Sequence, residues 1–589
     1  MGSDRRGWAR ASLLLAVGWL ACADTSVRHF PLREPLWVDR DAAPIANKPA
    51  ERKQSNYSYT IDQTILRPLS NALSLRVGGE SPNVNSLDEV PNSSWFTNRI
   101  GFFSMTAEEI AQGPCVGPTL DPALGPWKIV SGKANGASPG FVIKAPDGQR
   151  YLMKFDGFMA SERATAADVI GSKIYYAAGY NAPCNEVVYF PESILVLDPA
   201  AKGEDTHGNK EPLTQADVRF ILGSAWRQPD GSIRGMASRY LKGVPLGQSR
   251  FSGRREDDPN DVLPHEERRE LRGGMLFAAW LHHWDAIDNQ TLDMLVESKG
   301  QHFVRHYMLD WSDCFGQLWG YLQTAQRVGI GREGYFDLDY VLTDLVTLGA
   351  VPRPWYHVSP PPMPEVFGYF GTEHFVPSAW RGGYRNAAFQ DMTVRDALWA
   401  VRIIARFSDE DVAAIVKRGR IADPKAEAFL IDTLIKRRDT ILKEYLTRYT
   451  PLDRFTLERA PAGDRTQSLC FEDLALATKV SAPATTIYRL RMLGGPQLGS
   501  LGWRQVRPQT NPGRTCVPLP FDPIRPSNFA RTGAPDDDPA RYTVIEIDSN
   551  DVPSIQPKAR VAVHLYDLGP ERGFRIAGIE RGADVPDLP

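Results

Sequence analysis

The chain has 589 residues, 42% of them apolar, with a net charge of −3. That length predicts two to four domains and a large core. The near-neutral balance and a pI near 6.4 give no basic footprint for nucleic acid, and no late apolar run is long enough to span a membrane.

The N-terminus reads as a targeting segment. Arg5, Arg6 and Arg10 precede an apolar run, Ala11 to Ala21, that ends at Cys22. A basic start and so short an apolar run are a signal peptide, not a membrane span. Leu20-Ala21-Cys22 resembles a bacterial lipoprotein cleavage site with Cys22 as the lipid-bearing residue. Trp19 departs from that pattern, and an ordinary signal peptide cut nearby is the alternative. Either reading implies export, to the periplasm, outer membrane or cell surface.

Five more cysteines follow: Cys115, Cys184, Cys314, Cys470 and Cys516. An odd number leaves at least one free thiol. Cys470 with Cys516 is the expected pair, since both lie in one C-terminal segment. No CxxC is present, which argues against a structural zinc site. His282, His283, His302 and His306 read as surface or core histidines.

Residues 23–110 are rich in turn formers but carry Trp95 and Phe96, so they are expected to pack on a domain. Within 111–246, Phe141–Lys144 and Tyr151–Phe155 flank Pro146-Asp147-Gly148 as a hairpin. Ser161 is placed to cap a helix that runs to Ala178, with Gly179 past its end. Val187–Phe190 reads as a strand. Residues 218–246 hold two more strand-like runs, Ala237–Leu241 among them. Within 247–450 helices dominate. Glu266–His282 is one; Ser408 with Asp411 starts a second; Asp423-Pro424 starts a third that runs to Tyr445. In 451–589, alternation at Tyr488/Leu490/Met492 and Val561/Val563/Leu565, with a β-rich Tyr542–Ile547, predicts a small β sandwich or barrel.

The chemistry-bearing residues fall in a fixed order. A glycine-rich turn, Gly132 to Gly140 with Gly136 between, precedes a strand and could let backbone approach phosphates. Lys154 closes the next strand. Glu162 lies in the first turn of the following helix, where the helix dipole alone would favour it. After the helical stretch ending His283-Trp284 comes Asp285, and after a strand-like run comes Asp310, in Leu309-Asp310 to Phe315-Gly316. Each residue alone has a structural explanation. The order of glycine turn, strand lysine, helix acid and two separated aspartates is what phosphoryl transfer requires: a cradle, a cation for the phosphates, a proton-accepting carboxylate and a metal-holding carboxylate.

In this order, and in Ala178–Pro183 and Leu271–Asp285, the chain resembles HipA-type and spore-coat protein H-type kinases. The segment Leu309–Gly316 is similar to that of the Golgi secretory casein kinases, and the likeness as a whole is to exported bacterial proteins of this atypical kinase superfamily. It spans residues 80–450. It implies an α+β, two-lobed protein-kinase-like fold with a β-rich N-lobe and a helical C-lobe, an N-terminal extension and a C-terminal all-β domain outside the likeness. It implies ATP or another nucleotide with Mg or Mn, and a protein or small-molecule hydroxyl as acceptor. Lys154 would contact the phosphates; Glu162 would pair with it or support a metal. Asp285 would be the catalytic carboxylate and Asp310 the principal metal ligand. Ser238–Lys242, with Arg239 and Tyr240, would be the hinge against which the base stacks. Where such kinases place an Asn for a second metal this chain has Gln290, with Asn289 one residue early. That departure leaves a non-catalytic binding protein as one alternative and AMP transfer as another. No GxSxG or HExxH is present to suggest a hydrolase.

Overall fold

The computed structural model describes residues 29–581, apart from 53–58, 60, 68–78, 134–138, 157–161, 205–209, 224, 317–329, 335–336, 354, 356, 460–466, 495–502, 510–512, 520–534, 552–559 and 570. Cys22, Gly136 and Ser161 therefore lie outside the described residues.

The N-lobe is built on the expected hairpin. β2 (Gly140–Lys144) and β3 (Arg150–Lys154) pair antiparallel around a turn in which Gly148 adopts φ 86°. β1 (Trp127–Gly132) flanks β2. β4 (Asn185–Phe190), β5 (Leu195–Glu204), β6 (Lys210–Pro212) and β7 (Ile233–Arg239) complete one sheet in the order β4-β7-β3-β2-β1-β5-β6. Of the strand-like runs expected in 218–246, the one that holds Ala237 is β7, and the stretch opens on a helix, Gln215–Gly223, with only Val218 and Leu222 buried. Alternation of this kind over so short a run suits either state.

The helix Arg163–Ala178 connects β3 to β4 and is buried over most of its length. It ends at Gly179, as expected, where φ 130° excludes a side chain and a Cβ would strike the Phe96 ring. It begins later than expected: Glu162 is the residue before the first turn, in a left-handed conformation.

The link after β7 crosses to the C-lobe through β8 (Val244–Pro245), which pairs with β9 (Thr291–Ser298), itself paired with β10 (Gln301–Met308). Helices Arg269–Leu281, Val394–Ile404, Asp409–Arg418 and Pro424–Leu446 supply the largest apolar core. The starts at Ser408 and Asp423 are as the sequence requires: Ser408 and Asp411 form a reciprocal capping box, and the Asp423 side chain accepts the Lys425 N–H. The protein thus has an α+β, two-lobed architecture.

Two further sheets follow: β11 (Leu452–Arg459), β12 (Gln467–Asp473) and β15 (Arg514–Leu519) in one, and β14 (Arg504–Val506), β13 (Thr486–Gly494), β16 (Tyr542–Asp551), β17 (Val561–Asp567) and β18 (Phe574–Arg581) in the other. Inward residues of both, Phe471, Tyr488, Ile547 and Val563 among them, share one core, which makes a sandwich. Cys470 and Cys516 are cross-strand partners and form a disulfide. A second disulfide, Cys115–Cys184, joins residues distant in sequence, and Cys314 is a free, buried thiol.

The N-terminal segment is fastened to the domains at several points. Phe30 lies against Gly578 on the outer face of the five-stranded sheet. The buried Asp41 carboxylate accepts both the N–H and the hydroxyl of Ser94, at 2.9 and 2.7 Å. Trp95 stacks on His306 at 4.0 Å. Among the described residues no helix is long and apolar enough to cross a membrane.

Candidate active site

Lys154 ends β3 with its side chain turned inward. Its ammonium lies 2.9 Å from Asp168 Oδ2 and 2.8 Å from Asp310 Oδ1. Burial alone would lower the Lys154 pKa, but the two carboxylates raise it above its ordinary value, so it is held fully charged. Asp168 sits mid-helix and is buried; its other oxygen accepts the N–H of Trp311 at 2.7 Å. One helical carboxylate thereby fixes both the lysine and the backbone next to Asp310.

Asp310 takes a left-handed φ of 53°. Its Oδ1 also accepts the Ser312 hydroxyl at 2.6 Å. Burial pushes this carboxyl up, yet Lys154 and the hydrogen bonds outweigh it and hold the group below the usual carboxylate range. Both strong contacts fall on Oδ1, which leaves Oδ2 to face a cation.

Asp285 stands just beyond the helix Arg269–Leu281, which ends at His282 in a left-handed conformation. The loop is propped from behind: the Gly383 N–H donates to the Trp284 carbonyl at 2.7 Å, and a Cβ at Gly383 would strike the Trp284 ring. The Asp285 N–H donates to Asp313 Oδ2 at 2.7 Å, and the Gln290 amide donates to Asp285 Oδ2 at 2.9 Å. Burial first, and the Asp313 charge second, push the Asp285 carboxyl up to about 7. Burial likewise pushes Asp313 up to about 7. Burial brings His283 down to about 4, so the ring is neutral at pH 7.

The Leu309 N–H donates to the Gln290 carbonyl at 2.8 Å, which sets the turn Asp288–Gln290 beside Asp310. The amide of Gln290 is used on Asp285. The side-chain oxygen of Asn289 is buried and makes no hydrogen bond. A carboxylate oxygen on Asp310 and an orphaned amide oxygen on Asn289 are donors that suit a hard divalent cation.

In the glycine turn, a Cβ on Gly140 would stand 2.3 Å from the Met153 carbonyl oxygen, so only glycine fits. Gly132 is less confined, with the Gly203 Cα 3.2 Å from where its Cβ would be. The Lys133 N–H closes the turn on the Gly140 carbonyl at 3.3 Å. Burial, and then the Lys154 charge, lower the Lys133 pKa to about 8.

Two expected residues stand elsewhere. Glu162 does not pair with Lys154. Its Oε2 accepts the Ala422 N–H at 2.9 Å and its Oε1 lies 3.7 Å from Arg234, a fully buried arginine that also bonds the Gly419 and Arg420 carbonyls. The helix begins one residue after Glu162, and the residue of that helix that meets Lys154 is Asp168. Arg239 spends its guanidinium on the carbonyls of Val116 and Pro118 rather than in the cleft. Tyr240 follows it at the start of the interlobe link, under the Arg150 guanidinium, 4.6 Å from the ring.

Asp168 and Asp313 were not singled out from the sequence. Asp168 had a legible signal, since it interrupts the apolar face of Ala164–Ile170 and a carboxylate so buried needs a cation. Asp313 had none beyond its nearness to Asp310.

The strand order β1-β2-β3-β7-β4 with a helix between β3 and β4, a lysine on β3 bound by a helix carboxylate, and a second aspartate from the other lobe define a kinase-like fold. No family model matches the chain, and no curated protein does. Solved structures similar to it include the Helicobacter pylori proinflammatory kinase CtkA, at 9% identity over 54% of this chain and 99% of that one, with a TM-score of 0.29. They also include a Golgi casein kinase with Mn and ADP bound, at 11% identity over 70% of this chain and 96% of that one, TM-score 0.24. A hydra Fam20 with sugar matches at 11% identity over 52% and 97%, TM-score 0.22. At such scores these likenesses stand as observations, and the kinase-like reading rests on the topology and the lysine–aspartate cluster.

Proposed function

We propose that the protein is an atypical, metal-dependent phosphotransferase that uses ATP or a related nucleotide and an acceptor hydroxyl. The observation that carries this is the double contact of Lys154 with Asp168 and Asp310. It fixes a cation for phosphate oxygens beside a carboxylate suited to Mg or Mn, and the two come from opposite lobes.

In this reading Asp310 holds the divalent cation, with Asn289 as the second donor. The ion, when bound, would neutralise charge on the phosphates. Lys154 positions the phosphates, and Asp168 keeps the lysine pointed at them. Asp285 receives the proton of the acceptor hydroxyl at its carboxylate; a base with a pKa near the working pH is well placed for that. Asp313 fixes the Asp285 backbone through its N–H. Gly132 and Gly140 allow backbone to lie close to the nucleotide. In the same reading the N-terminal segment, as a lipoprotein signal ending at Cys22 or as an ordinary signal peptide, exports the chain, and the nucleotide would be met outside the cytoplasm.

The test is nucleotide binding by the purified chain with Mg or Mn, beside Asp310→Ala and Lys154→Ala. Metal-dependent binding that both variants lose supports the reading. Identical behaviour of all three proteins overturns it. The Gln290 amide bound to Asp285 favours one second reading, a binding protein that has lost transfer. It predicts nucleotide binding without turnover.

A further inference from the structure

Beside the cleft, three donors of a different chemical character converge. His283, Asp313 and Cys314 each bring a ligand atom to one spot, all within 4.8 Å of one another. His283 and Cys314 are buried, and Asp313 is half-buried and opens the site toward Asp285. The His283 ring uses Nδ1 on the Tyr175 hydroxyl at 3.2 Å. Its Nε2 lies 3.6 Å from Asp313 Oδ1 and makes no hydrogen bond of ordinary geometry. Asp313 divides its oxygens: Oδ2 takes the Asp285 N–H, and Oδ1 faces the imidazole. Cys314 is the one unpaired thiol among the described residues.

A tetrahedral zinc ion has bonds of about 2.0–2.3 Å to nitrogen, oxygen and sulfur, so its donors stand about 3.3–3.8 Å apart. The His283–Asp313 edge already has that length. The remaining edges need to close by no more than about 1.5 Å, within reach of side-chain rotation. Imidazole with thiolate selects zinc and ions like it, whereas the oxygen donors of Asp310 and Asn289 suit Mg or Mn. The missing CxxC thus excludes a paired-cysteine site, not one that the fold assembles from separate segments.

We propose that His283, Asp313 and Cys314 form a second metal site, for zinc or an ion of that class, distinct from the site at Asp310. On binding, a metal–sulfur bond forms, the thiol S–H bond breaks and its proton leaves to solvent, with no change of oxidation state. The ion ties His283, two residues before Asp285, to Cys314, four residues after Asp310. Asp313 contributes Oδ1 while Oδ2 keeps the Asp285 N–H. The site therefore fastens the two loops that carry the principal aspartates, whether or not the chain transfers phosphate.

The test uses the full chain carrying Cys22→Ser, freed of metal by a chelator and titrated with Co²⁺ without nucleotide. The expected result is a thiolate-to-cobalt charge-transfer band at one ion per chain, displaced by zinc. Cys314→Ser loses the band and binds zinc at least tenfold more weakly, while Asp310→Ala keeps both. Circular dichroism of metal-free Cys314→Ser confirms its fold, and His283→Gln gives an independent loss of the site. No band in the folded parent, or a band that survives Cys314→Ser, overturns the proposal.

Discussion

Lys154 and Asp168 meet at 2.9 Å across the interior of the N-lobe, and the second oxygen of the same aspartate holds the Trp311 N–H. A residue of the β3–β4 helix thus reaches both the strand that bears the lysine and the segment that bears Asp310.

Asp168→Asn keeps the shape and removes the charge. Breaking a buried pair by removing one partner typically costs about 3–5 kcal/mol. Urea unfolding is expected to show a loss of that order, and nucleotide affinity to fall by at least tenfold. Glu162→Gln, by contrast, loosens only the contact with Arg234 and Ala422, and is expected to cost about 1 kcal/mol with affinity within about twofold.

The raised carboxyls of Asp285 and Asp313 set a pH dependence. Both are near 3.8 when unfolded and about 7 when folded. Between those values the folded chain holds more protons than the unfolded one, so stability falls as pH rises from about 4 to about 7, then levels. Asp313→Asn is expected to flatten part of that fall in melts of the metal-free chain across the range. If the chain transfers phosphate, the rate should rise with pH on a limb near 7 that belongs to the pair, and Asp313→Asn should move that limb to lower pH.

Asn289→Ala removes an oxygen with no partner of its own. Stability is expected to change by less than about 0.5 kcal/mol. Manganese affinity, followed by paramagnetic resonance of the free ion, should weaken by at least threefold. Gln290→Asn frees Asp285 of its amide contact and is expected to raise turnover if the longer side chain is what holds the base.

Asp453 anchors the C-terminal sandwich on the helical lobe. Its carboxylate lies 3.4 Å from Arg402, 2.7 Å from Arg406 and 3.1 Å from Arg581. Asp453→Ala leaves these guanidinium groups with less negative charge in a buried cluster, where the cost is about 3–5 kcal/mol. Limited proteolysis near residue 451 is expected to release the sandwich from the variant but not from the parent chain.

Period and punctuation carried the legible part. Apolar alternation placed the hairpin around Gly148, Pro and Asp at 423–424 began the long helix, and two alternating runs with Cys470 and Cys516 marked the sandwich. All are local signals, set by side-chain direction and backbone preference over a few residues. The helix Gln215–Gly223 has no such signal, because its apolar run is too short to separate the two periods.

The order of the parts is legible in the chain alone: a glycine-rich turn, Lys154 at a strand end, Asp285 after a helix, Asp310 after a strand. Which carboxylate meets the lysine depends on packing across the core. Glu162 stands in the conspicuous position, but it precedes the helix in a left-handed conformation and turns toward Arg234, while Asp168, inside the helix among apolar neighbours, meets the lysine. A single residue rotates a helix face by about 100°, so partner choice across a core depends on where the helix begins. Local sequence fixes that start only to within a residue or two.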